Sequence, residues 1–169
     1  VAFCFYFSQH IAPAQAASGA DGASKFIESV GDQALAIVTD KQFSKDLKQT
    51  KLERLFDDNV DFPWVARFVM GRFWRQATES QKAHYLKAYQ KFEVWHYTSR
   101  FSEYSSGSFK ITGTRDDGND EYTVSMQIQP GDAQAEPVLV DYRVRHESAS
   151  RFKIFDITVE GVSMITTQR

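Results

Sequence analysis

Few side chains in this sequence are placed for covalent chemistry. The pairing to weigh is His96 with Asp156. A histidine and a carboxylate held together in an apolar cavity would support proton transfer, as an isomerase or dehydratase requires. Each also has a plain structural reading, His96 at the edge of a long helix and Asp156 within a strand. His84 and His146 fall on expected polar faces. The chain holds one cysteine, Cys4, so it forms no internal disulfide, and its four histidines are too scattered for a metal-ligand set. No GxSxG, HExxH or glycine-rich phosphate loop is present. Arg100, Arg143 and Arg145 are chemically suited to a phosphate but read as solvated surface charges. The expectation is a chain with no catalytic residue, no metal and no resident cofactor.

The apolar residues are more informative. Hydrophobic types make up 42% of the 169 residues and charged types 25%, which fits one soluble domain with a real core. Aromatics reach 14%, with 14 Phe, 7 Tyr and 3 Trp. Large apolar side chains can fill a core or line a hollow for an oily ligand, and composition does not choose between the two. The net charge of −2 and the scatter of basic residues among acids argue against nucleic acid and against a polybasic membrane anchor.

The pattern divides into a helical half and a strand half, so the expected fold class is α+β. A first helix is expected from about Ser24 to Thr39, with Ile27, Val30, Ala34 and Ile37 on one face. Asp40 to Leu55 reads as a Lys-rich surface helix, broken near Thr50. Pro63 fits the first turn of a third helix capped by Asp61 or Phe62, with Trp64, Val65, Phe68, Val69 and Phe73 as its apolar face. Thr78 and Gln81 have capping-box spacing and open the longest helix. Run to about Tyr104, it would be roughly 39 Å long. Its expected apolar stripe is Tyr85, Ala88, Phe92 and Trp95, with Tyr89 and His96 beside it. Four strands are expected after it: Ser108–Gly113, Glu121–Gln129, Pro137–His146 and Arg151–Val159, with turn chemistry at Asp117-Gly118. Asp141, Arg143 and Arg145 alternate with valines and Tyr142, which implies a sheet wet on one face and covered by helices on the other.

Residues 1–16 are free of charged side chains apart from a proton on His10, and end in Ala14-Gln15-Ala16, a small-x-small site. They read as an export signal cleaved after Ala16. The apolar run is far shorter than the ~20 residues that span a bilayer. Phe3 ahead of Cys4 argues against lipidation there.

Two stretches resemble the MlaC family of lipid-transport proteins, also called toluene-tolerance proteins. In residues 68–92 the match is carried by Gly71, Phe73, Trp74, Ala77, Thr78 and Gln81. In residues 155–169 it is carried by Phe155, Asp156, Glu160, Gly161, Val162, Ser163 and Met164. The resemblance implies a curved antiparallel sheet of about four strands wrapped by N-terminal helices, similar to the nuclear-transport-factor-like cone. It implies a periplasmic carrier that encloses the acyl chains of a glycerophospholipid as cargo. Its implied partners are an outer-membrane lipoprotein-porin complex and an inner-membrane ABC transporter with an MCE-domain subunit. The family normally continues past the Val-Ser-Met block, so a further C-terminal helical segment is expected to be lacking here.

On that resemblance, the candidate lining comes from the apolar faces. On the helices it is Phe73, Tyr85, Tyr89 and Phe92, with Phe68 and Val69 as weaker candidates. On the sheet it is Val124, Met126, Ile128, Val138, Val140, Tyr142, Ile154 and Ile157, and Val162 and Met164 follow the turn at Gly161 as rim or floor. Each also has a reading as ordinary core packing. Two other classes stay open: an enzyme on a cone-shaped fold using His96 and Asp156, and a structural adaptor with a filled core.

Overall fold

The computed structural model describes residues 14–101, 107–132, 134–148 and 151–169. Most of the expected leader, with Cys4 and His10, lies outside the described residues, as does Tyr104. The elements are helix α1 (Ala14–Thr39), α2 (Lys45–Asn59), α3 (Phe62–Met70), a 3-10 turn (Gly71–Arg75), α4 (Glu79–Phe101), strands β1 (Gly107–Gly118), β2 (Glu121–Pro130), β3 (Val138–Ser148), β4 (Arg151–Val159) and β5 (Val162–Ser163), then α5 (Met164–Gln168). The five strands form one antiparallel sheet in the order β1-β2-β3-β4-β5. The α+β class and the meander of strands after N-terminal helices stand as expected. The fifth strand and α5 were not foreseen.

Helix α1 starts ten residues earlier than its apolar periodicity indicates. The small residues before Ser24 are helical because α1 lies close against β1 and β2. Ala23 and Ile27 are buried in the core cluster, and Phe26 stacks on Phe152 at 5.8 Å. A methyl group at Gly31 would sit 2.7 Å from the tip of the Phe109 ring, so a side chain there would force that ring to shift. Helix α2 is capped by Ser44, whose side chain accepts from the Leu47 N–H. It is unbroken at Thr50, and its Leu52 and Leu55 are buried, which makes it more than a surface helix. At α3 the Asp61 carboxylate accepts from the Trp64 N–H at 3.1 Å and Pro63 occupies the first turn. The capping box of α4 forms in both directions. The Thr78 N–H donates to Gln81 Oε1 at 2.9 Å, and the Gln81 N–H to Thr78 Oγ1 at 3.2 Å.

Strand β1 is twice its expected length. The turn is confined to Asn119 and Asp120, both with positive φ, a two-residue hairpin that matches the twist of the strands. The inner face of the sheet is continuous across the strands. Ile111, Met126, Val140 and Val159 pair in one row, Val124, Tyr142 and Ile157 in the next, and Tyr122, Val144 and Ile154 beyond them. Tyr122, Val124, Met126, Val144, Phe152 and Ile154 are buried together with Ala23 and Ile27 of α1.

The outer face is not simply wet. Between Arg143 and Val144 the β4 partner steps from Asp156 to Ile154, which leaves Phe155 as a bulged residue. Phe155 is buried and meets Trp64 edge-on at 5.1 Å, and with Val65 and Ile165 it forms a second core cluster. Arg143 and Arg145 both lie over its ring at 4.6 Å, and both pair with Glu121, at 3.3 Å and 3.0 Å. They are held by the fold rather than solvated at random, because the bulge supplies an aromatic surface for their guanidinium planes.

Candidate functional site

The final fifteen residues form a compact staple. Strand β4 turns through Glu160 (φ 48) and Gly161 (φ 80) into β5. A glycine at the second position avoids the left-handed penalty that a side chain would meet there. Glu160 fastens the neighbouring strand, its carboxylate accepting from the Leu139 N–H at 2.6 Å. Ser163 caps α5 and donates to Asp156 Oδ2 at 2.8 Å, while the Ile165 N–H reaches Asp156 Oδ1 at 3.4 Å. Asp156 is only 5% exposed and is spent on holding α5 to β4. His96 lies against Phe92 and Tyr97 rings, at 5.6 Å and 5.3 Å between centroids. The two residues weighed for proton transfer thus have different surroundings.

The staple closes one side of a cleft. Its walls are Phe56, Val60, Phe62 and Val65 from α2 and α3, Tyr89, Glu93 and Tyr97 from α4, Ile154, Phe155, Asp156 and Ile157 from β4, and Met164 and Gln168 from α5. Its cavity volume is about 50 Å³. That admits a chain end or a small group, not a drug-sized ligand, which fills ~300 Å³ or more. Gln168 bridges the far wall: it accepts from the Tyr89 hydroxyl and donates to Glu93 Oε2 at 3.0 Å. Glu93 is 5% exposed. Burial pushes its carboxyl above the ordinary value, and the Gln168 bond and His96 only partly oppose this. Burial likewise raises the Tyr89 phenol, with Glu93 adding to the effect. Among the described residues, no group of three His, Cys, Asp or Glu gathers as a metal set would require.

The sequence candidates separate into three groups. The sheet residues Val124, Met126, Ile128, Val138, Val140, Tyr142, Ile154 and Ile157 share the inner face. Tyr89, Ile154, Ile157 and Met164 border the cleft, and Tyr85 stacks on Tyr89 at 5.6 Å. Phe73, Phe92 and Val162 are turned outward, about half exposed each. The expected stripe on α4 is therefore rotated. Trp95 and Phe92 face away, and the inward positions include Glu93, Val94 and Thr98. Both faces of α4 carry aromatics, so aromatic spacing alone does not set its phase. Phe68 and Val69 pack on the Phe155 cluster. Glu93 and Gln168, which sequence reasoning missed, lie 75 residues apart, and no local signal joins them.

Tyr142 reports on the space above the inner face. It sits on β3, the middle strand, between Val124 and Ile157. Desolvation pushes its phenol up to about 12. Its side chain nevertheless remains partly accessible. Ile128, Val138 and Ile157 on the same face are also partly accessible, whereas Val124 and Met126 under α1 are sealed. These partly accessible side chains flank the core cluster that α1 covers, so the apolar inner face is only partly sealed.

Two comparisons bear on this arrangement. The family model described as MlaC protein matches residues 28–169. The structure of a phospholipid-binding protein from Ralstonia solanacearum, solved in complex with a phospholipid, superposes with a TM-score of 0.71 at 23% sequence identity, covering 86% of this chain and 82% of that one. At that identity the likeness establishes a shared fold. With the family match extending over most of the sequence, the chain belongs to the MlaC family.

Proposed function

We propose that the protein is a periplasmic phospholipid carrier that shuttles lipid between the outer and inner membranes and hides the acyl chains against the inner face of its sheet. The observation that carries this reading is the apolar carpet around Tyr142, continuous across the strands and only partly covered. The structural neighbour with a phospholipid bound adds support. Each methylene withdrawn from water contributes ~0.8 kcal/mol, so exposing two ordinary acyl chains would cost roughly 20 kcal/mol or more. A surface as apolar as a bilayer removes most of that difference and lets lipid move in either direction. Such a protein needs volume, dryness and a door, and no catalytic group. On this proposal the leader is removed after Ala16, the cargo is a glycerophospholipid, and the protein partners are a lipoprotein-porin complex on one side and an ABC transporter with an MCE-domain subunit on the other.

The test is organic extraction of the purified protein followed by mass spectrometry. Near-stoichiometric phospholipid is expected, with a large loss in Val140→Trp, which places an indole on the carpet beside Met126 and Val159. A folded Val140→Trp protein with unchanged lipid content would remove that residue from the lining. A lipid-free parent protein would favour the adaptor.

A further inference from the structure

Helix α4 turns a second, different face to solvent. Its exposed positions between Ser80 and Trp95 include His84, Lys87, Lys91, Phe92 and Trp95, which recur at helical spacing on one side. Glu93 is buried, and the exposed acid at the start of the helix, Glu79, is paired with Lys82 at 2.8 Å. Phe92 and Trp95 are each 55% exposed. In the 3-10 turn ahead of the helix, Phe73 is also 54% exposed and Arg72 lies over its ring at 4.9 Å. The chain's net charge of −2 conceals a polarity: residues 62–101 carry seven Arg and Lys against Glu79 and Glu93, and the rest of the chain is net −7.

We infer that this face of α4 docks the protein on the surface of a bilayer rich in anionic phospholipid. The basic charge complements the headgroups, and a Trp and a Phe beside lysines suit the boundary between headgroups and acyl chains. The opposite face of the same helix presents Tyr89, Glu93 and Tyr97 to the cleft, so docking would leave α4 between the cleft and the membrane. The docking surface does not depend on the carrier reading, and the two are measured separately.

The experiment is sedimentation of the full chain with two sets of vesicles, phosphatidylcholine alone and phosphatidylcholine mixed equally with phosphatidylglycerol. Binding is expected on the mixed vesicles at low salt, little on the neutral ones, and a loss as salt rises. Each lysine near an anionic surface changes partitioning roughly fivefold, so Lys87→Ala with Lys91→Ala should weaken binding on the order of 25-fold. Those substitutions should leave the melting temperature and the co-purified lipid unchanged. In parallel, mixed vesicles should shift tryptophan emission to the blue in the parent and less in Trp95→Phe. Absence of binding to the mixed vesicles, binding indifferent to the lysine substitutions, or association only with an acidic protein would each overturn the proposal.

Discussion

Replacing Asp156 with alanine should loosen the C-terminal staple by an amount the geometry allows to be worked out. The carboxylate is almost fully buried and accepts from Ser163 Oγ at 2.8 Å and from the Ile165 N–H at 3.4 Å. The first is a charge-assisted bond worth ~1.5–3 kcal/mol. The second is long, and its loss adds a smaller penalty for a buried donor left without a partner. Recovery of the cost of burying the charge offsets part of the sum, which leaves a destabilisation of about 2 kcal/mol. For a chain of this size that lowers the melting temperature by roughly 4–8 °C. Urea unfolding of Asp156→Ala, Ser163→Ala and the double variant measures the coupling directly, and about 1 kcal/mol or more is expected between the two. Asp156→Asn keeps one acceptor and should lose less than half as much. An Asp156→Ala protein within about 0.5 kcal/mol of the parent, or a coupling near zero, would refute the staple.

Three further outcomes follow from other parts of the structure. Gly161 has φ 80 and open space where a Cβ would be, whereas Gly113 has equally open space and no positive φ. Gly161→Ala should therefore cost about 1–2 kcal/mol through its backbone alone, and Gly113→Ala should be close to neutral, as urea midpoints will show. Glu93 has its folded-state carboxyl raised above 4.5 by burial. Its contribution to stability is then fully present below the ordinary carboxylate range and is lost as pH rises through the elevated value. Glu93→Gln should flatten that part of the melting-temperature profile, and an unchanged profile would contradict the burial argument. A larger side chain at Gly31 meets the Phe109 ring at 2.7 Å, so Gly31→Val should destabilise by about 1–3 kcal/mol in thermal unfolding, despite removing a glycine from a helix.

Local chemistry was legible where residues close in sequence satisfy one another. The Asp61 cap, the Thr78–Gln81 box and the alternation along β2 and β3 act within a few residues, and each can be read from the chain. The start of α1 could not be read in this way. Its glycines look like a loop until the sheet beneath brings Tyr122 against Gly19 and Phe152 against Gly22. The outer face likewise misleads, because alternation at Asp141, Arg143 and Arg145 reads as solvent-facing. Only the bulge at Phe155 shows what the two arginines lie on. The phase of α4 was the costliest error for the site. Periodicity assigns aromatics inward and charges outward, yet Glu93 is buried by a bond from Gln168 and Phe92 is turned out. The inner-face residues were legible as a set because period-two patterning survives whether they pack against a core or border a hollow.

Uptake of acyl chains by the apolar carpet around Tyr142 is what a carrier function requires. It is tested most directly by titrating lipid-stripped protein with a phospholipid that carries a fluorescent acyl chain, in competition with unlabelled lipid and with the deacylated headgroup. Saturable, near-stoichiometric binding displaced by intact phospholipid and not by the headgroup alone is the predicted result. Binding that never saturates, or that the headgroup displaces as well as the whole lipid does, would contradict it.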